Sequence, residues 1–218
     1  MTTVSEKIGA GQVKELREKS GAPMGDCLKA LQEAKGDLEA AFLVLRKRGM
    51  ASAAKKSARS TNEGAVGTYI HAGGKIGVLL ELNCESDFVA RTDDFQDLLK
   101  DISMHIAASD PRYVRPEDVT PEDLEREREI YKAQAAATGK PPAVVEKIAE
   151  GKMAKFYEEV CLIEQPFIKD QSVSIKELIG QKVGKLGENI TVRRFARFKV
   201  GDPNWTVAST KLVEAAAE

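Results

Sequence analysis

The stretch GKIGVLLELNCESDFVAR, Gly74 to Arg91, decides how this chain is read. Its first half holds GVLLEL, Gly77 to Leu82, the most apolar run of the sequence and the signature of a buried strand. Strands usually close on Gly, Pro, Asn or Asp and then turn. This one closes on Asn83 and then sets Cys84, Glu85, Ser86, Asp87, Phe88 and Val89 in a row. Upstream, AVGTYIH, Ala65 to His71, is a second β-rich run joined to the first through AGG, so the two read as a hairpin with His71 at its tip. Downstream, Phe95, Leu98, Leu99, Ile102 and Ile106 recur at helical spacing, with Thr92 or Asp93 placed to cap that helix.

Working outward, TPED at Thr120 to Asp123 predicts a cap followed by Pro at the first helical position, opening a very polar helix. Another helix is expected from Pro142 toward Val160 or Leu162, then a loop at QPFIKD. SIKE, Ser174 to Glu177, reads as a capping box for a helix carrying Ile175, Leu178, Ile179, Val183 and Leu186. After the LGEN turn, Ile190, Val192, Ala196, Phe198 and Val200 alternate with polar residues, interrupted at Arg194 and Phe195, and predict a late strand with one buried face. The tail from Gly201 to Glu218 is expected to be partly unstructured.

The first fifty residues have a different pattern. A helix is expected near Val4 to Lys19, broken by Gly21, Pro23 and Gly25, then one near Met24 to Ala34 with Leu28 and Leu31 on one side. Asp37 caps a third, which carries Leu38, Ala41, Phe42 and Leu45 and is expected to stop at Gly49. The organisation read is a three-helix docking module over 1–52, a basic connector over 53–64, an α+β core over 65–200 and a tail over 201–218.

Composition narrows the function. Against 34 acids stand 33 Lys and Arg, for a formal net charge of -1, so nothing global draws the chain to nucleic acid or anionic lipid. The cysteines, Cys27, Cys84 and Cys161, are isolated, without any C-x-x-C, which argues against structural zinc or a disulfide framework and for a reducing compartment. No run reaches membrane-span length and the N-terminus lacks a signal-peptide core, so a cytoplasmic or organelle-stromal location is expected. There is no phosphate-cradling glycine motif, dinucleotide fingerprint or nucleophile elbow. His105 falls beside the apolar stripe of its helix and reads as a packed, hydrogen-bonded residue, while His71 reads equally as a solvated turn residue or a contact. Cys84 has no neighbouring base to lower its pKa and reads as core. The expectation is a binding protein with no catalytic residue, no cofactor and no metal. By residues alone, Phe88 either packs on its own sheet, with Asp87 capping a turn, or is a presented knob.

A family resemblance covers nearly all of residues 5–200. VKELREKSGAPMGDCLKALQEAKGDLEAAFLVLRKRG, Val13 to Gly49, resembles the N-terminal ubiquitin-associated-like domain of elongation factor Ts, with Pro23 and Gly25 where the usual GAGMMD has Gly and Met. NCESDFVAR resembles that family's NCETDFVAK/R motif, with Ser86 for its Thr. EGKMAKFYEEVCLIEQPF, Glu150 to Phe167, and GENITVRRFARF, Gly187 to Phe198, resemble two later blocks, in the family's order. The length fits a short form with one core half, in which two copies pair as a homodimer.

The resemblance implies guanine-nucleotide exchange on elongation factor Tu in translation elongation, with no nucleotide, nucleic acid or membrane bound by this chain itself. It implies that Ser86, Asp87, Phe88 and Val89 disturb the Mg²⁺ site of the GTPase. His71, Leu186 and Gly187 are implied as further contacts, with Val13, Leu16, Arg17, Met24 and Gly25 around the N-terminal docking surface. Rival readings are a nucleic-acid module built on Lys55, Lys56, Arg59, Arg193, Arg194 and Arg197, a ubiquitin-binding scaffold, and an enzyme using Cys84. Arg193 and Arg197 are more simply expected on a solvated strand face.

Overall fold

The structure, a computed structural model, describes residues 8–137, 139, 141–203 and 206–210. It is mixed helix and strand, the α+β class expected. Its internal packing divides it into two units, one of Met1–Gly64, Asn83–Leu98 and Glu177–Thr191, the other of Ala65–Leu82, Leu99–Lys176 and Val192–Glu218.

The first unit begins with α1 (Ala10–Ser20), α2 (Met24–Glu33) and α3 (Leu38–Lys56). The helix start expected at Val4 lies outside the described residues. Gly21, at φ 65, takes the left-handed position that ends α1 and donates its N–H to the Arg17 carbonyl. Asp37 caps α3 by accepting from the Ala40 N–H at 2.9 Å. The three helices enclose Val13, Leu16, Cys27, Ala30, Leu31 and Ala41. Leu28, expected beside Leu31, is exposed instead.

The third helix does not stop at Gly49. It runs on to Lys56, because this glycine serves packing rather than termination. A Cβ at Gly49 would lie 3.2 Å from the Gly180 carbonyl oxygen, so its absence lets α3 approach α8 (Ile175–Leu186) closely. An Arg46–Glu177 ion pair joins the same two helices.

The second unit is built on a sheet of order β1-β2-β5-β6, from β1 (Glu63–Ile70), β2 (Ile76–Cys84), β5 (Ile190–Lys199) and β6 (Thr206–Ser209). The late strand thus joins the hairpin, as the alternation suggested. Its phase differs. Ile190 and Val192 are buried, but so are Phe195 and Arg197, while Phe198 and Val200 are exposed. The buried positions change parity between Val192 and Phe195, so the strand does not bury one and the same face along its whole length. Arg197 is therefore no solvated residue: it is 6% exposed, donates to the Ala107 carbonyl at 3.1 Å and pairs with Asp110 at 3.0 Å. Part of the expected loose tail is also strand. β6 pairs antiparallel with β5 and buries Ala208, while residues 211–218 lie outside the described set.

Helix α5 (Asp93–Ser109) is capped by Thr92, whose hydroxyl accepts from the Phe95 N–H. Its expected stripe is buried throughout, and its Leu99 lies against Gly67 of β1. His105 is buried as expected, its Nε2 2.9 Å from Gln165 Oε1. Helices α6 (Pro121–Ala136), capped by Thr120, and α7 (Pro142–Val160) pair as a helical hairpin. Met153, Phe156, Val160 and Cys161 form a small core there with Val119. QPFIKD is not a plain loop, since β3 (Pro166–Phe167) and β4 (Asp170–Ser174) pair across it. Among the described residues no helix is long and apolar enough to cross a membrane, and no three His, Cys, Asp or Glu converge as metal ligands.

Candidate partner-binding site

The NCESDFVAR stretch does not run on as coil. Asp87–Ala90 form a single helical turn, α4. One turn fixes several backbone dihedrals for very few hydrogen bonds, so it does not persist without outside support. Here the support is visible at both ends. The Ser86 hydroxyl caps the start, accepting from the Val89 N–H at 3.4 Å, and the Gln96 side chain donates to the Ala90 carbonyl at 2.7 Å. Val89 and Ala90 are buried and anchor the turn from below. Phe88 points the other way and is 77% exposed, the most exposed large apolar side chain among the described residues. The reading in which Phe88 packs on its own sheet is thereby set aside. Asp87 is exposed and accepts from Arg91 at 2.6 Å, an ion pair too solvated to contribute much to stability.

Leu186 and Gly187 are in the same unit. Leu186 ends α8 half-buried, and Gly187, at φ 82, is the left-handed residue that turns the chain out of the helix. The next two residues face the phenylalanine turn. The Glu188 carboxylate accepts from the Ser86 N–H at 3.0 Å and from the Ser86 hydroxyl at 2.6 Å. In the opposite sense, Glu85 accepts from the Asn189 N–H at 2.6 Å. That backbone hydrogen bond, with Arg59 beside it, holds the Glu85 carboxyl below its ordinary pKa. Asp94, at the start of α5, accepts from Lys182 at 2.7 Å and Lys185 at 2.8 Å. Burial works against its charge, but the two ammonium groups outweigh that and its pKa is lowered. Glu85, Glu188 and Asn189 were not singled out from the sequence, although all three lie inside the quoted motifs.

The remaining expected residues separate by exposure. Arg17, Met24 and Gly25 are exposed on the helical module. Val13 and Leu16 are not available as contacts, being 8% and 0% exposed, because their spacing on α1 points both into the three-helix core. His71 is exposed at the hairpin tip, its Nδ1 3.2 Å from the Tyr69 hydroxyl. Cys84 is buried with its thiol against the Ser86 carbonyl, and burial, then the Glu188 charge, pushes its pKa up. Such a thiol is a poor nucleophile. The arginines of the supposed basic strand are engaged by Thr210, Glu81 and Asp110.

Fold and site define an α+β protein that presents one aromatic side chain on a short, externally capped turn. The comparisons agree on what kind it is. A family model described as elongation factor TS matches residues 50–202. The elongation factor Ts of Koribacter versatilis is 69% identical over 204 residues, covering 94% of this chain and 93% of the relative. That of Solibacter usitatus is 59% identical over 196 residues, covering 90% and 92%, and that of Geobacter sulfurreducens 57% over 195, covering 89% and 90%. The chain belongs to the elongation factor Ts family, and so to the elongation factors of protein synthesis.

Proposed function

We propose that this protein is the guanine-nucleotide exchange factor for elongation factor Tu, acting in the cytoplasm or an organelle stroma. It binds the GDP-loaded GTPase, disturbs the Mg²⁺ and phosphate site, and promotes GDP release so that GTP can bind. The observation that carries this is Phe88, a large apolar side chain held in water at 77% exposure on a capped turn, in a chain of this family.

The chemistry asked of the chain is small. Tight nucleotide binding in such GTPases rests on Mg²⁺ bridging phosphate oxygens and on a loop that cradles them. An exchange factor binds the nucleotide-free state better than the loaded one, and linkage then requires factor and nucleotide to weaken each other by the same factor. No proton transfer or covalent step is involved, and the nucleotide stays on the partner. In this reading Phe88 enters between elements of the GTPase next to its Mg²⁺ site. Asp87 exchanges its solvated ion pair with Arg91 for a displaced partner backbone N–H. Ser86 and Val89 hold the turn that carries both. Gly187 brings backbone close to the partner beside Leu186, and Arg17, Met24, Gly25 and His71 add separate contacts. Val13 and Leu16 support the helical module from within.

The same reading includes a homodimer carrying two partners. One face of the sheet leaves Val66, Ile70, Leu79, Phe198 and Val207 exposed, an apolar surface that a second copy would cover.

The test is release of fluorescent GDP from elongation factor Tu, with unlabelled GDP in excess, as this protein is added. Release should accelerate and saturate. With Mg²⁺ chelated beforehand the added acceleration should shrink, because the site that the protein disturbs is already emptied. Binding without any acceleration would sink the exchange reading.

A further inference from the structure

We infer that Glu188 is the positioning residue for the Phe88 turn, and that the turns at Asp87–Ala90 and Leu186–Asn189 act as one piece. This rests on the exchange reading for its consequence but not for its geometry. Phe88 is 77% exposed, so no packing of its own ring sets its direction; the backbone of α4 does. That backbone is one helical turn, with long internal hydrogen bonds of 3.3 Å from Ala90 to Ser86 and from Arg91 to Phe88. A turn that weak depends on its outside supports, which are the buried Val89 and Ala90, Gln96 at its end and the cap at its start. The cap residue, Ser86, is held in turn by Glu188, which accepts both its N–H and its hydroxyl proton. With that proton committed to Glu188, the Ser86 oxygen keeps its lone pair for the Val89 N–H.

Glu188 reaches Ser86 because Gly187 stands at φ 82, a conformation that turns the chain back sharply and that other residues rarely adopt. Glu85 repeats the arrangement in reverse on the Asn189 N–H, and the Asn189 side chain donates to the Arg59 carbonyl at 2.9 Å. Each turn thus supplies a carboxylate to the backbone of the other. Hydrogen bonds to a carboxylate are roughly twice as strong as neutral ones. A push on Leu186–Gly187 by the partner is therefore carried to Phe88.

The experiment compares Glu188→Ala, Glu188→Gln and Phe88→Ala, and the double variants, in fluorescent-GDP release from elongation factor Tu, with amide hydrogen exchange on the protein alone. Glu188→Ala should lower the maximal release rate by about tenfold, while the half-saturating concentration moves by less than about threefold, the loss lying in the disturbing step rather than in docking. In a Phe88→Ala background the same change should do almost nothing further, since Glu188 acts through Phe88. In amide exchange, Ser86, Val89 and Ala90 should lose protection while Leu80 and Leu98 keep theirs. Glu188→Gln keeps the size of the side chain but offers an N–H₂ to one of the two Ser86 donors, and should fall between. The inference is overturned by a Glu188→Ala rate within twofold of the unaltered protein, by equal losses with and without Phe88, or by unchanged protection at Val89. Failure of the exchange reading appears separately, as no acceleration by the unaltered protein; the amide-exchange result then decides the role of Glu188 alone.

Discussion

Replacing Phe88 by Ala removes the one large apolar side chain that the protein keeps in water beside the proposed contact turn. Fully burying a Phe side chain is worth about 1.5–3 kcal/mol. Since 77% of it is exposed in the protein alone, about 1.2–2.3 kcal/mol remains to be gained against the partner. If that gain is realised only as the Mg²⁺ site opens, its loss lowers the stimulated release rate by about 7- to 50-fold. The folded protein itself should hardly notice. An exposed side chain replaced by a good helix former changes stability by less than about 0.5 kcal/mol. The assay is stopped-flow release of fluorescent GDP at several concentrations of the variant, paired with thermal unfolding. Phe88→Leu should retain part of the rate. A Phe88→Ala rate within twofold of the unaltered protein would refute the wedge. A destabilisation above about 1.5 kcal/mol would show that Phe88 is packed and that the exposure argument is wrong.

Gly67→Ala places a Cβ 2.6 Å from Leu99 Cγ, and since Leu99 is buried, overpacking should cost about 1–3 kcal/mol in denaturant unfolding, partly recovered with Leu99→Val. Phe198→Glu and Val207→Glu put charge on the open sheet face and should turn a dimer into monomers in sedimentation velocity; a protein that is monomeric unaltered removes the pairing proposal. Burial, against the hydrogen bond with Gln165, keeps His105 below its ordinary pKa of 6.5. The unfolded chain then takes up a proton that the folded chain refuses, so this contribution is complete above 6.5 and is lost as pH falls through the lowered folded value. Thermal stability should decline from pH 7 to pH 5, and His105→Gln should flatten that slope. An unchanged slope would show that another group is responsible. Glu85 and Asp94, lowered from 4.5 and 3.8, give up their contributions only in stronger acid, as pH falls through their own folded values.

Much of this was legible because periodicity and caps are local. The α5 stripe, the Thr92, Thr120 and Asp37 caps and the Pro142 start of α7 all follow from residues within a few positions of one another. The family blocks were legible in the same way. The misreadings share one cause. Gly49 looks like a stop in sequence, and only the nearby backbone of Gly180 shows that it is a packing position inside a longer helix. Phe198 and Val200 continue the apolar alternation of the sequence, but burial changes parity near Arg193 and Arg194, so they are exposed while Phe195 and Arg197 are buried. Val13 and Leu16 are apolar at helical spacing, a pattern shared by core and contact faces alike, and burial decided for the core.

By itself the sequence determined the class, the order of elements and the oddity of a strand ending in NCESDFVAR, because hydrophobic period and capping chemistry are written in neighbouring residues. Only the tertiary structure decided that Phe88 faces water and that Glu188 meets Ser86 from 102 residues away. A carboxylate on a turn looks the same in sequence whether it faces solvent or holds another loop. Which of the two it does depends on where distant segments come together, and that is settled by packing and not by local propensity.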